Sequence, residues 1–240
     1  WRPAFNLGPR LGNMFLDFVD ENVKKLSYAA SFGCKEWEYT KEQELMCDKL
    51  AKRFDAISVR EASGVGLCKE HFGVDATLVL DPTLLLDKED YGKVCNDVPR
   101  KEKHIFVYSL VVSEGVLAVA EKVAEMMGLS IIVKQAGCKV KKEDTIEDWF
   151  AEFRDANYVV TDSFHGMVFS IIFNKPFAIV MNPSGGNDRY LSLLSQLGLM
   201  ERIVKDGTLP SDSAIDWQKV NTQLDSLRKT SLEFLKNNLK

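Results

Sequence analysis

The segment Asn157–Asn174, NYVVTDSFHGMVFSIIFN, decides how the rest of the chain is read. Tyr158, Val159 and Val160 are aromatic or β-branched and read as a short buried strand, whereas Met167, Val168, Ile171 and Ile172 recur at helical spacing. Between them lie Thr161, Asp162, Ser163, Phe164, His165 and Gly166. Ligands of open α/β sheets bind at the carboxyl ends of strands, so polar residues in such a strand-to-helix turn are candidates for chemistry. Asp162 or Ser163 caps the helix, and the amides of its first turn then form an anion site. Capped turns of this kind occur throughout α/β proteins, and the Asp-Ser pair alone reads most simply as a cap. His165 stands out. Of the three histidines it alone lies at a strand's carboxyl end, beside a glycine that permits close backbone approach.

With 240 residues, 45% hydrophobic and 28% charged, the chain is expected to be globular, with one large domain or two small ones. A formal charge of -4 argues against nucleic acid or an anionic membrane as the main partner. The longest apolar run, around Met167–Phe173, is too short to span a bilayer, so any membrane contact is expected to be peripheral. Cys34, Cys47, Cys68, Cys95 and Cys138 are scattered without a CxxC pair. That pattern predicts reduced thiols in a cytoplasmic protein and no structural zinc. The chain opens at Trp1 rather than Met and enters a loop with Asn6, Gly8, Pro9 and Gly12, which suggests that the protein extends upstream.

Taken in order, Met14–Val23 carries apolar residues at helical or edge spacing, and Leu26–Ser31 reads as a buried strand. Thr40 caps a helix to Arg53 with Leu45, Met46, Leu50 and Ala51 on its apolar face. A second strand, Ala56–Arg60, puts Arg60 at its carboxyl end, and a third, Ala76–Leu80, ends in the Asp81-Pro82 turn. The polar stretch Asp87–Lys103 reads as a solvated linker between domains. Beyond it, strands at His104–Leu110, Ser130–Lys134, Tyr158–Val160 and Pro176–Met181 alternate with helices at Glu114–Met127, Thr145–Arg154 and Arg189–Leu197. This alternation predicts a parallel sheet whose polar strand ends, Ser109, Lys134, Ser163, His165 and Asn182, share one rim. Gly185-Gly186 before Arg189 lacks the GxGxxG spacing of a dinucleotide fingerprint but suits a phosphate. Trp217–Leu239 is a long amphipathic helix expected to pack back across the first half. The expected division is residues 1–99, 100–215 and the helix at 216–240.

These motifs together resemble the polysaccharide pyruvyl transferase family: LSYAASFG at Leu26–Gly33, ISVRE at Ile57–Glu61, VLDPTLLL at Val79–Leu86, and TDSFHG followed by an apolar helix and NKPF at Thr161–Phe177. The resemblance implies an α/β fold of two Rossmann-like halves with parallel sheets facing a cleft, as in B-type glycosyltransferases. Family members carry a glycine-rich segment upstream of the Trp-Arg-Pro point, so the first half is expected to be incomplete. It also implies transfer of a pyruvyl group from phosphoenolpyruvate to a sugar or lipid-linked saccharide of a cell-surface polysaccharide. No cofactor and no metal are expected, and the location implied is the cytoplasm of a bacterium, including the inner face of its membrane. Many members place an arginine two residues before the histidine, where this chain has Ser163. Either Arg60, Arg189 or Lys134 would then supply the donor's countercharge, or the donor would sit differently. The substrate-binding set expected is Arg60, Ser109, Lys134, Ser163, Phe164, Gly166, Asn182 and Arg189, with His165 transferring a proton. A nucleotide-sugar-dependent glycosyltransferase and a non-catalytic carbohydrate-binding module are the alternatives.

Overall fold

In the computed structural model, residues 1–3, 10–137, 145–181, 185–210 and 214–239 are described, and among them every pairing between strands is parallel. Strands β1 (Leu26–Ala30), β2 (Ala56–Val59) and β3 (Thr77–Leu78) form one sheet in the order β1-β2-β3. Strands β4 (His104–Ser109), β5 (Ser130–Gln135), β6 (Tyr158–Thr161) and β7 (Phe177–Ile179) form the other, in the order β5-β4-β6-β7. The chain divides into two compact units, Trp1–Leu85 with Ser184–Gly198 and Asn221–Lys240, and Leu86–Pro183 with Leu199–Val220. The division after Leu85 falls upstream of residue 99, and the helix after Gly185-Gly186 groups with the first unit. Among the described residues no helix is long and apolar enough to cross a membrane.

In the first unit, helix α1 (Lys41–Ala51) starts at Thr40 through a capping box, Gln43 N donating to Thr40 Oγ1 at 3.3 Å and Gln43 Oε1 accepting from Thr40 N at 2.9 Å. Its expected apolar face is met in part: Ala51 is buried and Leu50 packs against the core, but Leu45 and Met46 do not. Leu45 and Met46 are 64% and 39% exposed, while Cys47 and Ala51 are buried. Phe15, Tyr39 and Phe72 fill that part of the core, so the helix approaches it through small side chains. Met14–Val23 is neither helix nor edge strand: Gly12–Phe15 is a single 3-10 turn, stopped by Leu16 in the left-handed region at φ 56°. Helix α2 (Ala62–Phe72) follows β2. The third strand pairs over Thr77–Leu78 only, and a 3-10 turn follows at Pro82–Leu85.

In the second unit the residues of β4 alternate between its two faces. Ile105 and Val107 pack with Val116, Val119, Ala120 and Val123 of the long helix at Glu114–Met127. Phe106 and Tyr108 meet the helix at Ile146–Asp155, with ring centroids 4.9 Å from Phe153 and 5.1 Å from Trp149. The stretch read as a solvated linker contains helix α3 (Lys88–Val94), capped by Asp87, whose Oδ1 accepts from Asp90 N at 3.0 Å. Tyr91 ties this helix to the core at 5.1 Å from Phe150 and 5.0 Å from Phe169. One aromatic anchor among charged residues leaves no helical periodicity to read, which is why composition suggested a linker. Numbered in chain order, the remaining helices are α4 (Glu114–Met127), α5 (Ile146–Asp155), α6 (Phe164–Ile172), α7 (Asp188–Leu197) and α8 (Trp217–Asn238). From Asn221 onward α8 belongs to the first unit, where Ser231 Oγ accepts from Leu80 N at 2.9 Å and Phe234 packs with Ala29 and Val79.

Glu152 of α5 is 2% exposed and gathers cations: Lys101 Nζ at 2.8 Å, Lys134 Nζ at 3.8 Å and His104 Nε2 at 3.2 Å. The other ring nitrogen of His104 lies 2.8 Å from Glu102 O. Glu152 and the Glu102 carbonyl raise the pKa of His104 against its burial. Burial pushes Glu152 up, but His104, Lys101 and Lys134 outweigh it and leave the carboxyl below its ordinary value. Stability from His104 is therefore complete below its ordinary value of 6.5 and is lost as pH rises through the raised folded value. Stability from Glu152 is complete above 4.5 and is lost as pH falls through its lowered folded value. Denaturant titrations should show the largest gap between the wild type and His104→Gln between about pH 4.5 and 6.5, shrinking toward alkaline pH. A gap that stays constant from acid to alkaline pH would contradict the pairing.

Candidate functional site

Strand β6 ends in a turn whose polar atoms are almost all assigned. Thr161 Oγ1 donates to Tyr108 O at 2.5 Å and accepts from Ser163 N at 3.0 Å. Asp162, buried, accepts from Leu110 N at 2.6 Å and from Val111 N at 3.1 Å, so it ties the segment leaving β4 to the end of β6. Ser163 is the cap of α6, its Oγ accepting from Gly166 N at 3.3 Å. A Cβ on residue 166 would lie 2.1 Å from Thr161 Oγ1, so the close approach that Gly166 permits is to Thr161. Among the described residues of α6, all but His165 are buried. The fold thus presents this imidazole, edge-on to Phe164 with centroids 5.5 Å apart, at the carboxyl end of a central strand.

The first unit holds a different arrangement, built on a bulge in β1. Ala29 sits at φ 55°, and Ser58 Oγ fills the break by accepting from Ala29 N at 3.0 Å and donating to Ser27 O at 2.9 Å. Ser31, Phe32 and Gly33, the last at φ 78°, then line a cavity of about 190 Å³ together with Trp1, Arg2, Arg60, Gly186 and Arg189. Arg60 leaves β2 with its backbone N donating to Ala30 O at 3.1 Å and its guanidinium paired with Asp81. Asp81 Oδ1 in turn accepts from Thr83 N at 3.1 Å and Thr83 Oγ1 at 2.7 Å. Arg2 pairs with Glu38 through two bonds of 2.8 and 2.9 Å. Arg189, in the first turn of α7, has its guanidinium carbon 5.7 Å from the Tyr190 ring centre. Burial pushes the Arg189 pKa down and the nearby Arg60 adds to this, with Tyr190 and Glu61 opposing. Cations crowded into a part-buried cavity gain from any anion placed among them.

The family model described as polysaccharide pyruvyl transferase matches residues 4–184, about three quarters of the chain. The chain belongs to the polysaccharide pyruvyl transferase family. No curated protein matches it. Two solved structures of the wall teichoic acid polymerase TagF match the chain at low similarity. One, soaked with CDPG, is 11% identical over 91% of this chain and 60% of its own length, with a TM-score of 0.39. The other is 12% identical over 89% of this chain and 60% of its own, with a TM-score of 0.36. The chain therefore spans about 60% of the length of these structures.

For this member of the pyruvyl transferase family, the structure brings Arg60 and Arg189 to one cavity in the first unit. Lys134, the third candidate for the countercharge, lies beside Glu152 in the second unit. Ser163, Phe164, His165 and Gly166 share one turn there, with the Phe164 side chain buried. Ser109 is fully buried, and its Oγ has no hydrogen-bond partner among the described residues. Asn182 lies outside the described residues. Sequence reading missed Arg2 and Glu61, and it took Asp81 only for a turn former. In a parallel sheet the ends of β2 and β3 are neighbours, so an acid just after β3 beside an arginine just after β2 was a readable signal. No comparable signal marks Arg2. Gly166→Ala should lower stability by about 1–3 kcal/mol through overpacking against Thr161, measured by denaturant unfolding. Stability equal to wild type would contradict the contact.

Proposed function

We propose that the protein transfers a pyruvyl group from phosphoenolpyruvate to a sugar of a cell-surface polysaccharide. The observation that carries this reading is the arginine cavity of the first unit. Phosphoenolpyruvate presents a carboxylate and a phosphate, and planar guanidinium groups suit both. The cavity, about 190 Å³, is smaller than the roughly 300–1,000 Å³ that drug-sized ligands occupy, which favours a small organic acid over a nucleotide sugar.

The chemistry balances without redox change. One sugar hydroxyl gives up its proton and adds to the carbon bearing phosphate while a proton is delivered to the donor's methylene carbon, which becomes a methyl group. A second hydroxyl then displaces phosphate at the same carbon, loses its proton and closes the ketal. In this reading Arg60 and Arg189 hold the donor's anionic groups, and His165 makes one of these proton transfers. Family membership and the half-buried position of His165 at the end of β6 support that role.

A phosphate-release assay with phosphoenolpyruvate and a panel of acceptor sugars tests the reading. Release that requires both donor and acceptor is expected, and release seen only with a nucleotide sugar would overturn it. In the same assay His165→Gln should cost about two decades or more in turnover with the donor constant largely kept. Near-normal turnover would remove His165 from the chemistry. Arg189→Ala should chiefly raise the apparent donor constant, and an unchanged constant would remove Arg189 from the donor site.

A further inference from the structure

We propose that Glu61 is a positioning residue for the arginine cavity: its carboxylate holds the turn at Ser31–Gly33, and so the cavity wall, in the shape that receives an anion. This rests on reading the cavity as the donor site. Glu61 is 0% exposed. Its Oε1 accepts from Phe32 N and, at 3.0 Å, from Gly33 N, two consecutive amides leaving β1 just past the bulge. Its Oε2 has no hydrogen-bond partner among the described residues. Two successive amides aimed at one anion, with Gly33 in the left-handed region, make a nest that the chain fills with its own acid.

The residue type argues against a helix-capping role. Glu61 occupies the position before α2, where Ser, Thr, Asp or Asn would serve, yet its side chain makes no bond to that helix. The longer side chain is used to reach Phe32 and Gly33. Its backbone neighbours are fixed on both sides: Arg60 N donates to Ala30 O at 3.1 Å, and Ala62 N donates to Ser192 Oγ at 3.0 Å. Ser192 lies on α7, the helix that carries Arg189. Arg60, Glu61 and Ala62, which follow β2, thus connect the end of β1, the Ser31–Gly33 turn and α7, and this arrangement brings Arg60, Gly33 and Arg189 to the cavity. Glu61 also favours the charge of Arg189 against its burial.

The test compares wild type, Glu61→Ala and Glu61→Gln by steady-state kinetics with phosphoenolpyruvate and by amide hydrogen exchange. Glu61→Ala should raise the donor KM about tenfold or more with kcat within about threefold. Exchange at Phe32 and Gly33 should speed up with the rest of the unit unchanged. Glu61→Gln keeps an oxygen to accept both amides and should restore KM and protection to near wild type. A wild-type KM in Glu61→Ala would overturn the proposal, as would equal impairment in the Ala and Gln variants. Should Glu61→Ala not fold, Glu61→Asp, one methylene short of the amides, replaces it with the same expectations. If wild type neither binds nor turns over phosphoenolpyruvate, the donor reading falls. The positioning role is then judged with inorganic phosphate as the probe: weaker binding in Glu61→Ala, with faster Phe32 and Gly33 exchange, sustains it, and wild-type binding overturns it.

Discussion

Where a parallel strand ends, the amides of the outgoing chain lose their ladder partners, and burying them unpaired is costly. Both units meet this constraint in the same way. In the first, Glu61 after β2 accepts from Phe32 and Gly33, which leave the neighbouring strand β1. In the second, Asp162 after β6 accepts from Leu110 and Val111, which leave the neighbouring strand β4. A buried carboxylate accepting two amides is a strong, charge-assisted arrangement, and it fixes the path of the chain at the sheet edge where ligands bind in open α/β folds. The functional candidates depend on these braces: His165 lies three residues beyond Asp162, and Arg60 directly precedes Glu61.

The two units then differ in what they present. The second offers a single imidazole on a helix whose other described residues are packed, so its reactive group has a defined place and little freedom. The first offers guanidinium groups around a small cavity, each held from behind: Arg60 by Asp81, Arg2 by Glu38 and Arg189 by its position on α7. Bidentate and planar recognition of carboxylate and phosphate is what guanidinium groups do best, and preorganising them lowers the entropy that binding must overcome.

Much of the fold was legible because hydrophobic periodicity reports burial directly. The second-half strands and helices, and the strand-turn-helix around Asn157–Asn174, fall within a residue or two of their expected limits. What was not legible depended on tertiary context. Ala51 and Leu50 meet the core as their spacing indicates, but Cys47 takes the place expected of Leu45 and Met46, because large aromatics from elsewhere already fill that part of the core. Helix α3 carries too few apolar residues to show a period, and Tyr91 anchors it only through partners distant in sequence. At the candidate site, the choice between Asp162 and Ser163 as cap was open in sequence, because both can accept an amide. Asp162 is taken up by amides more than 50 residues away, |i−j| being 52 and 51, which local reasoning does not see. Glu61 was hidden in the same way, because it serves a turn 28 and 29 residues upstream.

In the proposed function the first unit's arginines hold a small dianionic or trianionic acid. Calorimetric titration of phosphoenolpyruvate into the protein, with a nucleotide sugar as competitor, tests it most directly. Saturable binding at one site is expected, weakened at least about tenfold by Arg60→Ala or Arg189→Ala and indifferent to the nucleotide sugar. Binding that survives both substitutions, or that the nucleotide sugar displaces, would contradict it.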